Sequence, residues 1–396
     1  MTKHLQLTLI AAFVLLFAAC SSSRTRQAEQ IIRNTKDHWA PDSRTALFSI
    51  EAHPQNGKIL LSGETNLPSA KQALLDSLSG IDAGVIDSIH VLPDKALGDS
   101  IYGLVNNSVS NFRSKPFHAA QLATQAILGM PLRVLKQKGE WYLVQTPDDY
   151  IAWTNIGGFR LMNKGEYDKW VAAPKIIYLE TIGNAYREPS KNSLKTSDLV
   201  AGNVLALDNT LDNYYKVRYP DGRTGYVPRS EAMPFDQWKK SVELSRSNLV
   251  KTAKTMVGSP YLWGGTSTKG LDCSGFTKTI FFMNGWIIPR DASQQVSAGK
   301  PIDTSDGFDN LKPGDLLFFG HPATDSTPER VVHVGMWIGN NEYIHSSGNV
   351  HISSVDPKAD NFDKVHLKQE HFLEARRYLG GKRGNIMNVA QMYDLH

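Results

Sequence analysis

Cysteine is almost missing from this chain: 396 residues hold two, Cys20 and Cys273. That is no disulfide framework. A dominant charge is missing too, since 43 Lys and Arg stand against 39 Asp and Glu, a formal net charge of +4. Such a balance favours anionic partners only weakly and gives no ground for nucleic-acid binding. No metal is expected, because His321, His351, His366 and His371 lack metal-ligand spacing. "GGTSTKGLD" (264–272) lacks the Gly-Lys-Ser/Thr ending of a phosphate loop, and no cofactor is expected. Hydrophobic content of 41% with 21% charged residues excludes a disordered chain, and the length suits two to four domains.

The N-terminal apolar run, Leu5 to Ala19, has 15 residues. That is short for a bilayer span but right for the core of an export signal behind Lys3 and His4. It ends in "LFAAC" followed by "SSSRTR". Small residues directly before a Cys resemble a bacterial lipoprotein signal, although Leu is more usual where Phe17 stands. The resemblance implies a signal peptide over 1–19, cleavage before Cys20 and a lipidated tether over 20–27. Anchoring by more than one acyl chain would hold the protein firmly at a membrane of the cell envelope, facing the periplasm. Two alternatives are a buried first helix and a plain signal peptide with a chance Cys. With Cys20 lipidated, Cys273 is the one free thiol in an oxidising compartment. It is then either buried and inert or kept for its reactivity.

Residues 24–93 read helix, strand, strand, helix, strand. "RQAEQIIRNTKDHW" has helical character, and two strands flank an Asn56-Gly57 turn. Pro68 and Ser69 open a second helix, and "IDSIHVLP" closes the segment as a strand. The pattern resembles the BON domain, a small α/β module of bacterial envelope proteins, here over 28–105. Beyond it, short strands alternate with turn residues. "EWYLVQTPDDYIAW" (140–153) and "NYYKVRYPDGRTGYV" (213–227) share their spacing, with Trp141 to Pro147 answering Tyr214 to Pro220. This resembles two bacterial SH3-type barrels, over 106–172 and 173–234. Residues 235–396 form the last domain.

Around Cys273, Phe276, Ile280 and Met283 mark one face of a helix that stops at Asn284-Gly285, with Asp272 as N-cap. The helix N-terminus there favours a thiolate and offers N–H groups to an oxyanion. Ser274 and Gly275 are small, so a substrate can approach the backbone closely. A nucleophile needs a base. In "VVHVGMWIGNNEYIHSSG" (331–348), alternation puts His333, Gly335 and Trp337 on one face of a strand. A three-residue loop, Gly339 to Asn341, would pair Gly335 with His345 and set the two histidines diagonally on one face, about 7–8 Å apart between Cα atoms. A two-residue loop would put them on opposite faces. The roles that follow are Cys273 as nucleophile, His333 as general base and acid, and His345 as the group that orients the His333 ring.

"YLWGG", "LDCSGF", "LKPGDLLFF", "HVGMWIG" and "YIHSSG" occur in that order between Tyr261 and Gly348. Together they resemble the NlpC-type cysteine peptidases of the papain-like clan. The resemblance implies a papain-like C-terminal domain and a Cys273–His333–His345 triad, with Tyr261 assisting the oxyanion hole. The substrate implied is murein peptide, cut between γ-D-Glu and a diamino acid. SH3-type barrels ahead of such a domain resemble the dipeptidyl-peptidase subset, which releases L-Ala-γ-D-Glu from peptides with a free N-terminus. That implies Asp291 as the ligand of the free amine, Asp272 and Ser274 lining the pocket, and Tyr150 of the first barrel closing it. The subset's Glu before "TQA" is Ala123 here, with Gln121 nearby. Asp291 has a turn or cap residue as its alternative reading, and Tyr150 reads equally as barrel core. The expectation is a monomeric α+β protein of a BON-like module, two SH3-like barrels and the peptidase domain. The alternatives are a non-catalytic cell-wall-binding lipoprotein, and an amidase or acyltransferase using the same triad.

Overall fold

A computed structural model describes residues 23–80, 84–380 and 386–395. The expected signal peptide and Cys20 lie outside the described residues. No helix among the described residues is long and apolar enough to cross a membrane. The chain divides into two compact units between Gly98 and Asp99.

In the first unit a helix over 23–39 is followed by strands Phe48–Gln55 and Lys58–Thr65, helix Pro68–Leu78 and strand Val85–Val91. This is the order read from the sequence. The first two strands pair antiparallel about Asn56 and Gly57, both with positive φ, and the third joins parallel. The buried-exposed alternation of Phe48–Gln55 turns Phe48, Ile50 and Ala52 onto Ala28, Ile32, Leu61 and Leu74. Each fully buried Leu or Ile of that set contributes about 1.5–3 kcal/mol. Two expected boundaries are corrected. Residues 23–27, assigned to the tether, are helical, because the face that buries Ala28 and Ile32 continues a helix already begun. The module ends near Gly98 rather than at 105, because Tyr102–Val105 pairs with Phe159–Met162 and Pro131–Lys138 in the first barrel.

The two barrels have seven strands each and the same topology. In the first, the order across the sheet is Leu122–Ile127, Val109–Arg113, Ile151–Asn155, Trp141–Gln145, Pro131–Lys138, Tyr102–Val105, Phe159–Met162. In the second it is Lys195–Val200, Ile182–Tyr186, Thr224–Pro228, Tyr214–Arg218, Val204–Thr210, Lys175–Tyr178, Ala232–Pro234. The repeat seen in the sequence is the same central hairpin in both: Trp141–Gln145 with Ile151–Asn155, and Tyr214–Arg218 with Thr224–Pro228.

The last domain sets helix Cys273–Phe282 against an antiparallel six-stranded sheet. Strands Leu316–His321, Arg330–Gly339 and Glu342–Ser347 are central, and Asn349–Ser354 lies outside them. Val334 and Met336 face Cys273, Phe276 and Ile280 in the core, while Trp337 packs on the other face with Phe319. The helix is buried on every side, not along one stripe. Its polar side meets the first barrel. Lys278 is paired with Asp148, their side chains 10% and 2% exposed. Thr266 N donates to Gln125 Oε1 at 3.0 Å, and Thr266 Oγ1 to the Gln125 carbonyl at 2.8 Å. The first barrel is therefore a wall of the peptidase-like domain. The chain end returns to it as well, with Tyr167 Oη donating to the Tyr393 carbonyl at 2.7 Å and Tyr393 Oη to the Gly129 carbonyl at 3.0 Å.

Burial works against the Lys278 charge and Asp148 supports it. Removing one partner of such a pair strands the other. Asp148→Ala should cost about 3 kcal/mol in urea unfolding, and Asp148→Leu with Lys278→Met should recover most of it. An Asp148→Ala protein as stable as the parent would show that the pair does not hold the barrel to the helix.

Candidate active site

Asp272 caps the helix as expected. Its Oδ1 accepts from Gly275 N at 2.7 Å and its Oδ2 from Gly264 N at 2.9 Å. Arg290 then takes the same carboxylate with both terminal nitrogens, at 3.1 and 2.6 Å. It also donates to Ser274 Oγ at 3.0 Å and, through Nε, to Thr124 Oγ1 at 2.9 Å. This guanidinium is 1% exposed. Burial opposes its charge, yet Asp272 and then Asp291 hold its proton more firmly than usual. Asp272 and Ser274, expected to line the substrate pocket, are buried with their side-chain oxygens engaged by Arg290. Sequence reading passed over Arg290. The signal available was an Arg directly before Asp291, at the end of the apolar run Trp286 to Pro289. Gly275 is small for a reason other than substrate approach. A Cβ there would lie 1.9 Å from the Gly265 carbonyl oxygen, so the glycine lets the loop 261–265 lie on the helix.

Cys273 is 8% exposed. Burial pushes its thiol up to about 12, with the Asp272 carboxylate adding to the rise. Backbone hydrogen bonds from Val334 and Ser274, and the Arg290 charge, pull the other way. The thiolate expected from the helix N-terminus alone is thus overridden by desolvation. Tyr261 stands beside this thiol. Burial, then Cys273 and Asp272, push its phenol above the ordinary range, so it keeps its proton and can donate.

His333 and His345 meet. His333 Nε2 and His345 Nδ1 are 2.8 Å apart, with the rings edge to face at 84°. The pairing that allows it, Gly335 opposite His345, is the one required. The means differ from the expected three-residue loop. The turn has two residues, Asn340 and Asn341, both at positive φ, and Gly339 pairs with Glu342. A two-residue turn alone would put the histidines on opposite faces. The register shifts between Trp337 and Gly339, and the bulge at Ile338 restores the parity. Gly335 is needed where the rings meet, because a Cβ would lie 2.5 Å from the Tyr343 ring and 3.2 Å from His345 Cβ. Burial, with the neighbouring imidazoles, holds His333 well below its ordinary value and His345 down at about 3.

His366 was dismissed in the sequence as a scattered histidine. It stacks on His333 at 3.8 Å and 18°. Nothing in its surroundings in the sequence, a π-helical turn over Val365–Gln369, signals that placement. One ring nitrogen from each of His333, His345 and His366 lies within 4.8 Å of the others. His333 Nε2 and His345 Nδ1 bond to each other, and His366 Nδ1 bonds to Asp363.

Tyr150 is 6% exposed and its Oη donates to Asp291 Oδ2 at 3.3 Å, which joins the first barrel to the Asp291 loop. Asp291 is also the cap of helix Ala292–Gln295, and its side chain stays 25% exposed. Sequence reading placed Tyr150 and Asp291 on one pocket, and they touch.

Comparison with known proteins gives the following likenesses. Residues 258–369 match the NlpC/P60 family, and residues 112–155 match the bacterial dipeptidyl-peptidase SH3 domain. A gamma-D-glutamyl-L-lysine dipeptidyl-peptidase of Bacillus subtilis is 32% identical over 228 residues, 57% of this chain and 72% of that one. The protein of that name from Bacillus cereus is 30% identical over 275 residues, 66% of this chain and 77% of its own length. Dipeptidyl-peptidase 6 of Lysinibacillus sphaericus is 28% identical over 262 residues, covering 63% of this chain and 89% of that one. Among solved structures, an NlpC/P60 family protein of Bacillus cereus superposes with a TM-score of 0.58 at 24% identity, over 70% of this chain and 99% of its own. That likeness establishes the fold.

The buried thiol sets a pH dependence. The unfolded chain ionises Cys273 near the ordinary 9.0, the folded chain only near about 12. Between those values the unfolded state sheds a proton that the folded state keeps, so stability falls as pH rises through that window. Denaturation curves of parent and Cys273→Ala proteins should diverge there, the parent losing more. Parallel curves would show that the thiol ionises freely in the fold.

Proposed function

The chain belongs to the NlpC/P60 family of cysteine peptidases, and from that premise we propose that it hydrolyses peptidoglycan stem peptides at the bond between γ-D-Glu and a diamino acid. The product is L-Ala-γ-D-Glu, released from peptides with a free N-terminus. One observation carries this reading: a cysteine at the head of a buried helix beside a strand whose histidine is hydrogen-bonded, at 2.8 Å, to a second buried histidine.

The resting pair is a neutral thiol and a neutral imidazole, given the directions in which burial moves both groups. As Cys273 Sγ attacks the carbonyl carbon, its S–H proton passes to His333. His345 holds the ring through the second nitrogen. The carbonyl oxygen, gaining charge, lies toward the first-turn N–H groups of the helix and the Tyr261 hydroxyl. His333 then protonates the leaving amine, and water hydrolyses the thioester with His333 again as base. Asp291, partly exposed beside Tyr150, takes the substrate's ammonium as a charge-assisted partner. With Ala123 where the dipeptidyl-peptidase subset carries Glu, that contact rests on Asp291.

The site of action is the cell envelope. The "LFAAC" ending of the N-terminal apolar run supports a lipid on Cys20, and the protein acts there as an anchored monomer facing the periplasm.

Cys273→Ala and His333→Ala should each lower kcat/KM on L-Ala-γ-D-Glu-diamino acid peptides by about 10³ or more, read by product chromatography. Undiminished hydrolysis by the Cys273→Ala protein would sink the mechanism. N-acetylating the substrate should cost about 10–100-fold in the parent but little in Asp291→Asn, and equal parent rates on both peptides would remove the amine contact. For the anchor, Cys20→Ser should abolish labelling by radioactive palmitate and move the protein out of the membrane fraction. Unchanged labelling would place the lipid elsewhere.

A further inference from the structure

Two side chains that the mechanism above does not use close around its histidines. Asp363 follows strand Asn349–Ser354 across a loop, and His366 lies in the turn Val365–Gln369. They are 8% and 5% exposed. His366 Nδ1 is 2.7 Å from Asp363 Oδ2, so this nitrogen carries a proton and donates it to the carboxylate. Tyr343 Oη donates to the same oxygen. Asp363 Oδ1 accepts from the backbone of Val365 and His366, each at 3.0 Å. His345 Nε2 lies 3.7 Å from the same Oδ2 and 3.0 Å from Ser353 Oγ.

We propose that Asp363 and His366 are positioning residues that fix the tautomers and the ring planes of the His333–His345 relay. The proposal rests on the Cys273–His333–His345 reading given above. Ser353 Oγ is the hydrogen-bond partner of His345 Nε2 at 3.0 Å, and the Asp363 carboxylate, 3.7 Å away, favours through its charge the tautomer with the His345 proton on that nitrogen and the lone pair on Nδ1. His333 Nε2 must then donate into Nδ1 across the 2.8 Å contact. With its own proton on Nε2, His333 has its Nδ1 lone pair free to take the thiol proton. The alternative tautomer of His345 would point a proton at His333 and force the free lone pair to the wrong end of the ring. Asp363 thus sets the base through two rings in series, as the carboxylate of a triad does through one.

His366 supplies the second constraint. Its ring lies on the face of His333 at 3.8 Å and 18°, with Phe319 tilted beside both rings at 5.9 Å. The stack prevents the His333 plane from turning, and the Asp363 bond prevents His366 from turning. Among the described residues, Tyr343, His351, Asp363 and His366 are titratable groups that face the relay. Glu370 lies beyond, its Oε2 3.9 Å from His366 Nε2. Among them, Asp363 is the carboxylate in contact with both outer imidazoles, and the hydrogen bonds from His366 and Tyr343 keep its own proton affinity low against the effect of burial. When His333 gains the thiol proton, that anion is the charge nearest the relay's outer end.

The test uses the full-length protein with 15N-labelled histidine. In the parent, ring-nitrogen shifts should report one tautomer for His333 and one for His345, both protonated on Nε2. Asp363→Asn, which keeps the shape, should mix the tautomers of both and lower kcat about 10–100-fold with KM unchanged, per active site titrated with an irreversible thiol reagent. His366→Phe keeps a stacked ring but not the bond to Asp363, and should lower kcat in the same way. If Asp363→Asn does not fold, the His366→Phe shifts and kcat carry the test. Unmixed tautomers, or kcat per titrated site equal to the parent, would overturn the proposal. Failure of the underlying reading looks different: the Cys273→Ala protein would still turn over.

Discussion

The Asp272–Arg290 pair is the interaction on which the rest of the site depends. One buried guanidinium reaches the cap of the nucleophile helix, the residue after the nucleophile and a strand of the first barrel. A charge with 1% exposure is tolerated only when its hydrogen bonds are made and its countercharge is adjacent. Arg290 meets both conditions through Asp272, Ser274 and Thr124. The consequence is geometric. The cap carboxylate cannot rotate, so the first turn of the helix, and with it Cys273, has one position relative to the barrel.

The same logic explains why the first barrel is part of the enzyme and not an appended module. The strand Leu122–Ile127 delivers Thr124 to Arg290 and Gln125 to Thr266, and the loop before Ile151 delivers Asp148 to Lys278 and Tyr150 to Asp291. Lys278 lies on the helix itself, and Thr266, Arg290 and Asp291 lie in the segments before and after it, so the barrel meets polar groups on and around the helix. A helix buried on all sides needs a second domain on its polar side, and the barrel is that domain. The second barrel repeats the topology but makes none of these four contacts.

Much of this was legible in the chain. The Cys273 helix with its cap, the alternation around His333, the repeated barrel hairpin and the order of elements in the N-terminal module all follow local periodicity and turn chemistry, which act over a few residues. Several misreadings come from what lies beyond a local window of sequence. Tyr102–Val105 was counted with the first module because its partners, at 131–138 and 159–162, come later. Gly275 was read as room for substrate because Gly265 is ten residues away in sequence and its carbonyl lies on the helix. The thiol was expected low because a helix N-terminus is visible in sequence and depth of burial is not.

The hairpin between His333 and His345 marks the division most clearly. By itself the sequence determined that two histidines flank a turn rich in Asn, that Gly335 leaves room between them, and that a lone cysteine heads a helix. Those are properties of composition and spacing. Whether the two rings share a face was decided by a bulge at Ile338, one residue that moves the register and reverses the parity of the strand. The bulge lies in the pairing with Glu342–Ser347, just beyond the end of the pairing with Leu316–His321 at Met336. Tertiary structure alone also brought Arg290 to Asp272 and His366 to His333. Buried charges and stacked rings are settled by desolvation and packing among distant segments, and neither leaves a period in the sequence.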